Sequence, residues 1–209
     1  MLKPKTLAAL AAVVVAVVLA LLDRPDPASR LDARRAALEQ RLESADIRVS
    51  PEETLELLYN PAARLHLLDV REEAEFNLFH LGGARRAALS ALARGDAGAI
   101  RRDDVVVVMS NGEGRARQAW LLLAAAGFEQ TYILRGGIHG WLGVFGRPDR
   151  LDPSLQACEL DDCRRYRFEA ALGERHPESD PGPHALEGRS FERKVRVQGA
   201  QRRKSGSCG

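Results

Sequence analysis

Residues 105–115 read VVVVMSNGEGR, and these eleven positions decide the fold. Val105 to Val108 are β-branched, and Met109 completes an unbroken apolar run of strand length. A run without polar alternation suits a central strand of a parallel sheet, covered on both faces. Ser110-Asn111-Gly112-Glu113-Gly114 then turns the chain, and Arg115 opens a helical stretch, RARQAWLLLAAA, that Gly127 ends. Phe128 stands where a glycine cap usually gains its apolar contact. A small loop between a buried strand and a helix start exposes several backbone N–H groups, which together favour an anion. Arg115 adds a permanent charge that holds a sulfate- or phosphate-like oxyanion in bidentate fashion. Glu113 works against this, since it puts a negative charge in the same loop.

Outward from this unit the alternation continues. Leu65-His66-Leu67-Leu68-Asp69-Val70 is a second strand, and Thr131 to Leu134 a third, followed by Gly136-Gly137 and a short helix through Trp141. Upstream, Ser50-Pro51-Glu52-Glu53 is a helix start, with Ser50 as cap, Pro51 at the first helical position and Glu53 closing a capping box. Strands alternating with helices predict an α/β fold with a parallel sheet and right-handed crossovers. Ligands of such sheets bind beyond the carboxyl ends of the strands, which here means the loop 110–115.

From about Ile47 to Gly146 the chain resembles the rhodanese-like domain family. The residues that carry this are Leu68-Asp69-Val70-Arg71, Glu75-Phe76, His80-Leu81 with Gly83-Ala84, the length of the loop 110–115, Gly127-Phe128, and Gly136-Gly137 with Trp141. The resemblance implies a rhodanese-like parallel sheet flanked by helices. It also places Ser110 where sulfur-transferring members carry the cysteine that becomes a persulfide. Phe79, Gly82, Glu113 and Gly140 depart from the family pattern as well. A serine hydroxyl ionises far less readily than a thiol, needs a neighbouring base to act as nucleophile, and cannot carry a cysteine-type persulfide. Glu113, His80 and His139 are the candidate bases, but their spacing forms no triad signature, and Ser110 lacks the Gly-x-Ser-x-Gly setting of hydrolases. The phosphatase relatives of the fold use a longer loop and also need the cysteine. Asp69 and Arg71 read as a structural ion pair supporting the loop, His80 as capping or packing a turn, and Trp120 and Trp141 as core aromatics.

Composition bounds the rest. The 209 residues carry 31 Lys+Arg against 29 Asp+Glu, a formal balance of +2, without the basic excess of a dedicated nucleic-acid binder. With 45% apolar and 29% charged residues, global disorder is excluded. Residues 6–22 hold sixteen consecutive apolar positions, Leu7 to Leu22, about 25 Å of helix. This segment reads as an uncleaved membrane anchor, with a signal peptide as the alternative. Flanking Lys and Arg leave the side of the soluble part unassigned. Residues 23–46 read as a charged stalk helix, with Leu31, Leu38 and Leu42 at helical spacing but no sustained heptads.

After Gly146, residues 147–209 read as a tail: one helix within 151–173 centred on Tyr166 and Phe168, then a proline- and glycine-rich disordered stretch from Glu174. Arg193, Lys194, Arg196, Arg202, Arg203 and Lys204 form a basic cluster without acids. All three cysteines, Cys158, Cys163 and Cys208, lie in this tail, as candidates for redox pairing or sulfur acceptance. Cys158 and Cys163 with His176 and His184 do not suit zinc, because the last spacing is too long and prolines interrupt it. Neither a metal nor a cofactor is expected.

The sequence thus predicts a single-pass protein of a bacterial-type inner membrane. Its rhodanese-like domain would be a pseudoenzyme, binding an oxyanion or protein partner at Ser110–Arg115 in a regulatory role. The alternatives are a sulfur relay through a tail cysteine, or a membrane-associated assembly factor.

Overall fold

Five parallel strands form the centre of the protein, in the order β1-β5-β4-β2-β3. They are β1 (Arg48–Val49), β2 (Leu65–Asp69), β3 (Ala84–Arg86), β4 (Val105–Met109) and β5 (Thr131–Leu134). The computed structural model describes residues 13, 27–152, 162–169 and 176–197. Every residue of β4 is buried, as its unbroken apolar run requires. Successive strand residues face opposite ways, so Val106 and Val108 enter one core while Val107 and Met109 enter the other.

Among the described residues from 27 on, the α-helices are α1 (Pro27–Leu42), α2 (Pro51–Leu58), α3 (Glu73–Leu78), α4 (Leu89–Ala93), α5 (Gly114–Ala125) and α6 (Gly137–Phe145). On one face, Trp120, Leu123 and Ala119 of α5 pack against Val106, Val108 and Ile133. On the other, Trp141 and Leu142 of α6 join Leu55, Leu67 and Leu134. Gly127 ends the α5 segment at φ +89°, with Phe128 N–H donating to Leu123 O at 3.0 Å. This is the glycine-capped exit expected at that point.

Three expectations change. First, α1 is docked rather than a free stalk. Leu38 and Leu42 are buried in the Trp120 core, Arg41 lies over the Trp120 ring at 5.6 Å, and Arg117 pairs with Glu43 at 2.6 Å. The sparse leucine stripe is wide enough to cover one face of α5, which a free helix would leave exposed. Second, residues 162–169 contain no helix. Leu151 and Tyr166 form an antiparallel bridge, with Asp152 N–H donating to Arg165 O and Arg167 N–H to Arg150 O, both at 2.9 Å. Extended backbone puts Tyr166 and Phe168 on one face, and both join the Trp141 cluster.

Third, residues 176–197 are structured in spite of their prolines, through short 3-10 turns at Pro177–Ser179 and Pro183–Leu186. Trp141 Nε1 donates to Glu178 O at 2.7 Å, and Gly82 N–H to Ser179 O at 2.8 Å. The Glu178 carboxylate, 2% exposed, pairs with Arg150 at 2.8 Å. Apolar burial and these anchors offset the ordering cost that composition alone suggested would prevail.

Among the described residues, no helix is long and apolar enough to cross a membrane. The expected anchor, residues 6–22, lies outside the described residues except for Val13.

Candidate functional site

Strand β4 delivers the loop 110–115 to the carboxyl end of the sheet, and α6 fixes its orientation. Ile138 N–H donates to Ser110 O at 2.9 Å and His139 N–H to Asn111 O at 3.0 Å. The first turn of α6 therefore satisfies the loop's carbonyl groups. This contact needs glycine at position 137. Gly137 has φ +57°, and a Cβ there would lie under 3.0 Å from the carbonyl oxygens of Ser110, Asn111 and Gly112.

Ser110 is fully buried. Its Oγ accepts from Ala116 N–H at 3.2 Å and donates to Gly112 O at 3.3 Å, so it braces the loop and the start of α5. The three candidate bases are committed elsewhere. Glu113 accepts from Arg48 Nε at 2.9 Å and from Gly136 N–H at 3.0 Å. His80 stacks on Phe76 at 4.1 Å and bonds Phe76 O through Nδ1. His139 Nε2 accepts from Arg165 N–H at 3.1 Å. The expectation that Glu113 opposes an anion in the loop is corrected by this geometry: two donors on β1 and at the start of α6 turn its carboxylate away from the cradle.

The cradle itself holds a carboxylate of the same chain. Asp162 Oδ1 accepts from Gly112 N–H at 2.8 Å, and Oδ2 accepts from Arg115 N–H at 3.1 Å. Arg115 Nε stands 3.9 Å from Oδ2, and Asn111 Nδ2 donates to Asp162 O at 2.9 Å. Two backbone N–H groups on two oxygens of one anion are the arrangement expected of such a loop. The Arg115 guanidinium also pairs with Glu75 at 3.3 Å and Glu72 at 3.6 Å.

Beneath the loop runs a polar network. Asp69 and Arg71 form a fully buried ion pair at 2.5 Å, and Arg71 also donates to Phe79 O at 2.6 Å and to the Tyr166 hydroxyl. Burial penalises the Arg71 charge, but the hydrogen bond and charge of Asp69 outweigh it and raise its pKa above the usual guanidinium range. The Tyr166 hydroxyl donates to Asn111 Oδ1 at 2.8 Å, and Asn111 Nδ2 reaches Glu75 at 2.6 Å. Burial pushes the Tyr166 hydroxyl up to about 12.

On the outer side of the loop, Gly112, Gly114, Arg117, His139 and Arg165 line a cleft of about 470 Å³. Glu113 also lines this cleft, so its rim carries charges of both signs.

The structure gathers Ser110, Asn111, Gly112, Gly114 and Arg115 into one cradle, with Asp69 and Arg71 below it. Glu113 belongs to the same loop but faces outward. Cys163 adjoins the cradle through Asp162 and is disulfide-bonded. The other two cysteines, Cys158 and Cys208, lie outside the described residues. Sequence reasoning missed Asp162, Tyr166 and the role of Glu75. Asp162 lies 47 residues from Arg115, and nothing in local spacing connects them. Among the described residues, no group of three or more His, Cys, Asp or Glu side chains is arranged to hold a metal ion.

A family model described as "Rhodanese-like domain" matches residues 50–143. Several solved structures are similar to the chain. A rhodanese-like domain from an Anabaena protein is 20% identical, covering 59% of this chain and 98% of that one at a TM-score of 0.44. A full-length protein from Lactobacillus plantarum is 26% identical, covering 54% and 92% at 0.42. A human single-domain sulfurtransferase is 24% identical, covering 46% and 96% at 0.41. No curated protein matches the chain.

Proposed function

Because residues 50–143 are a rhodanese-like domain, we propose that this chain uses the domain as an oxyanion-binding regulatory module and not as a sulfurtransferase. One observation carries the reading: the buried residue at the start of the cradle is Ser110, with its Oγ engaged by backbone on both sides. Sulfur transfer through such a loop requires a thiolate to attack the sulfane sulfur and keep it as a persulfide. A serine hydroxyl offers neither the ionisation nor the sulfur. What the cradle retains is the capacity to bind an anion, through Gly112 and Arg115 N–H groups and the Arg115 charge. Residues 6–22 are its membrane anchor in this reading, supported by their unbroken apolar run. A bacterial-type inner membrane is the host, with the side of the domain unassigned.

The test is a thiosulfate-to-cyanide transfer assay on wild type and Ser110→Cys. Wild type gives no transfer above the uncatalysed background. Turnover by wild type at rates comparable to a cysteine-bearing domain overturns the reading.

One observation favours a second reading, a sulfur relay through the tail. Asp162 sits on the cradle, so the neighbouring Cys163 is held at its rim. A reduced Cys163 thiolate would attack the sulfane sulfur of thiosulfate, break its S–S bond and release sulfite. Mass spectrometry of the reduced protein after exposure to thiosulfate tests this: a 32 Da persulfide adduct at Cys163 is required, at about that mass for one sulfur, and its absence removes the relay.

A further inference from the structure

The anion in the cradle is tethered. Asp162 is 8% exposed, with its two carboxylate oxygens on the Gly112 and Arg115 N–H groups and its main-chain oxygen on Asn111 Nδ2. Further along the chain, the Tyr166 hydroxyl is bonded to Asn111 and Arg71, and its ring is buried against Phe79. The carboxylate is thus presented to the loop by a segment fastened at both points. A ligand tethered in this way acts at an effective concentration on the order of millimolar.

An external anion and Asp162 exclude each other. Gly112 and Arg115 each have a single backbone N–H, and both are donated to the Asp162 carboxylate. The arginines of the site have no charge to spare. Asp69 matches Arg71, while Glu75 at 3.3 Å, Glu72 at 3.6 Å and Asp162 at 3.9 Å share Arg115. A further anion beside Asp162 would meet these three carboxylates around one guanidinium and be repelled. It binds only where Asp162 has left.

We propose that Asp162 is an autoinhibitory ligand of the cradle: in the free chain it holds the Gly112 and Arg115 N–H groups, and a small external oxyanion binds by displacing it. The proposal rests on the reading of the cradle as an oxyanion site and adds what limits access to it. Displacement does not require the tail to unfold. Asn111 holds the main-chain oxygen of Asp162, and Tyr166 makes its contacts independently, so rotation of the Asp162 side chain alone frees the loop. The rest of the segment stays docked as a wall of the opened site, which favours compact oxyanions. Apparent affinity scales with the fraction of molecules in the open state. With Asp162 seated about nine-tenths of the time, the chain binds an external anion about tenfold more weakly than one without a charge at position 162.

The experiment titrates the full chain with inorganic sulfate, at ionic strength held constant with chloride. NMR follows the backbone amides of Gly112 and Arg115 and the side-chain carboxyl carbon of Asp162. Asp162→Asn keeps the shape and the main-chain oxygen but removes the charge. It should bind sulfate at least about tenfold more tightly than wild type, as should Asp162→Ala. In wild type the Asp162 carboxyl carbon should shift together with the two amides as sulfate displaces it. If the variants and wild type all bind sulfate with equal affinity, Asp162 is no competitor, and the proposal falls while the oxyanion reading stands. If none of them binds sulfate, the cradle is not an oxyanion site and both fall. Should neither variant fold, wild type decides alone. Amides that shift beside an unmoved Asp162 carboxyl carbon, or amides that do not shift at all, overturn the autoinhibition.

Discussion

The Tyr166 hydroxyl donates to Asn111 Oδ1 at 2.8 Å, tying a residue beyond the rhodanese-like domain to the cradle 55 positions earlier in the chain. The same oxygen accepts from Arg71, so the tail completes the network that the Asp69–Arg71 pair begins. The domain and its carboxyl-terminal extension therefore share one polar core.

Tyr166→Phe tests this sharing. The substitution keeps the ring in the Phe79 cluster and removes only the hydroxyl, leaving Asn111 Oδ1 and one Arg71 N–H short of a partner. A buried polar group left unsatisfied costs about 1–3 kcal/mol, and with two such groups the variant should lose at least about 2 kcal/mol. Urea denaturation of both proteins measures it. A difference below about 0.5 kcal/mol would mean that water or a neighbour replaces the hydroxyl, and that the tail is not part of the core network.

Alkaline pH probes the same hydroxyl. Burial raises Tyr166 to about 12 from the ordinary value of 10.0. The folded pKa lies above the unfolded one, so the unfolded chain loses its proton first. The stabilisation is complete below pH 10 and declines as pH rises from there toward about 12, at up to about 1.4 kcal/mol per pH unit. Wild type should lose this increment and Tyr166→Phe should not. Equal slopes in the two proteins between pH 10 and 11 would contradict the assignment (about one unit above the ordinary tyrosine value).

Glu53 does not close the capping box that its spacing from Ser50 predicts. Ser50 does cap α2, with its Oγ accepting Glu53 N–H at 3.1 Å. The Glu53 carboxylate, however, turns to the tail and accepts from Lys194 N–H at 2.6 Å and Val195 N–H at 2.7 Å. Glu53→Gln should weaken two charge-assisted bonds and speed amide hydrogen exchange at Lys194 and Val195 by roughly tenfold, the equivalent of about 1.4 kcal/mol, while α2 keeps its cap. Unchanged exchange at both amides would leave Glu53 as a helix-start residue only.

What was legible in the sequence was whatever depends on neighbours along the chain. The runs at 65–70, 105–109 and 131–134 announce strands by their length and apolar content, 105–109 without a single polar residue, and the resulting β2, β4 and β5 are the three central strands. The outer strands were not legible: β1 has two residues and β3 has three, Ala84-Arg85-Arg86, too short and too charged for a periodic signal. The cradle was visible as Ser110 to Arg115, but its occupant was not. Asp162 and Tyr166 reach it by tertiary folding of a segment whose local pattern reads as a helix but which is extended. Glu113 was misread for a related reason: its charge is local, while the donors that turn it away, Arg48 Nε and Gly136 N–H, come from distant parts of the chain.

Glycine substitutions separate backbone strain from contact with the cradle. Gly83 and Gly137 both have positive φ, +74° and +57°, so alanine at either position pays a conformational cost of about 1 kcal/mol or more. Around Gly83 an added Cβ meets nothing within 4 Å, and the cost stops there. At Gly137 the Cβ would press on the carbonyl oxygens of Ser110, Asn111 and Gly112, which are backbone atoms and cannot swing aside. The loop must shift, and the Gly112 and Arg115 N–H groups that hold Asp162 must shift with it. Gly137→Ala should therefore lose roughly 2–4 kcal/mol, summing strain and overpacking, and should move the Gly112 and Arg115 amide resonances. Gly83→Ala should lose about 1 kcal/mol and leave those resonances in place. Equal losses in the two variants, with the cradle amides unmoved in Gly137→Ala, would show that α6 does not position the loop.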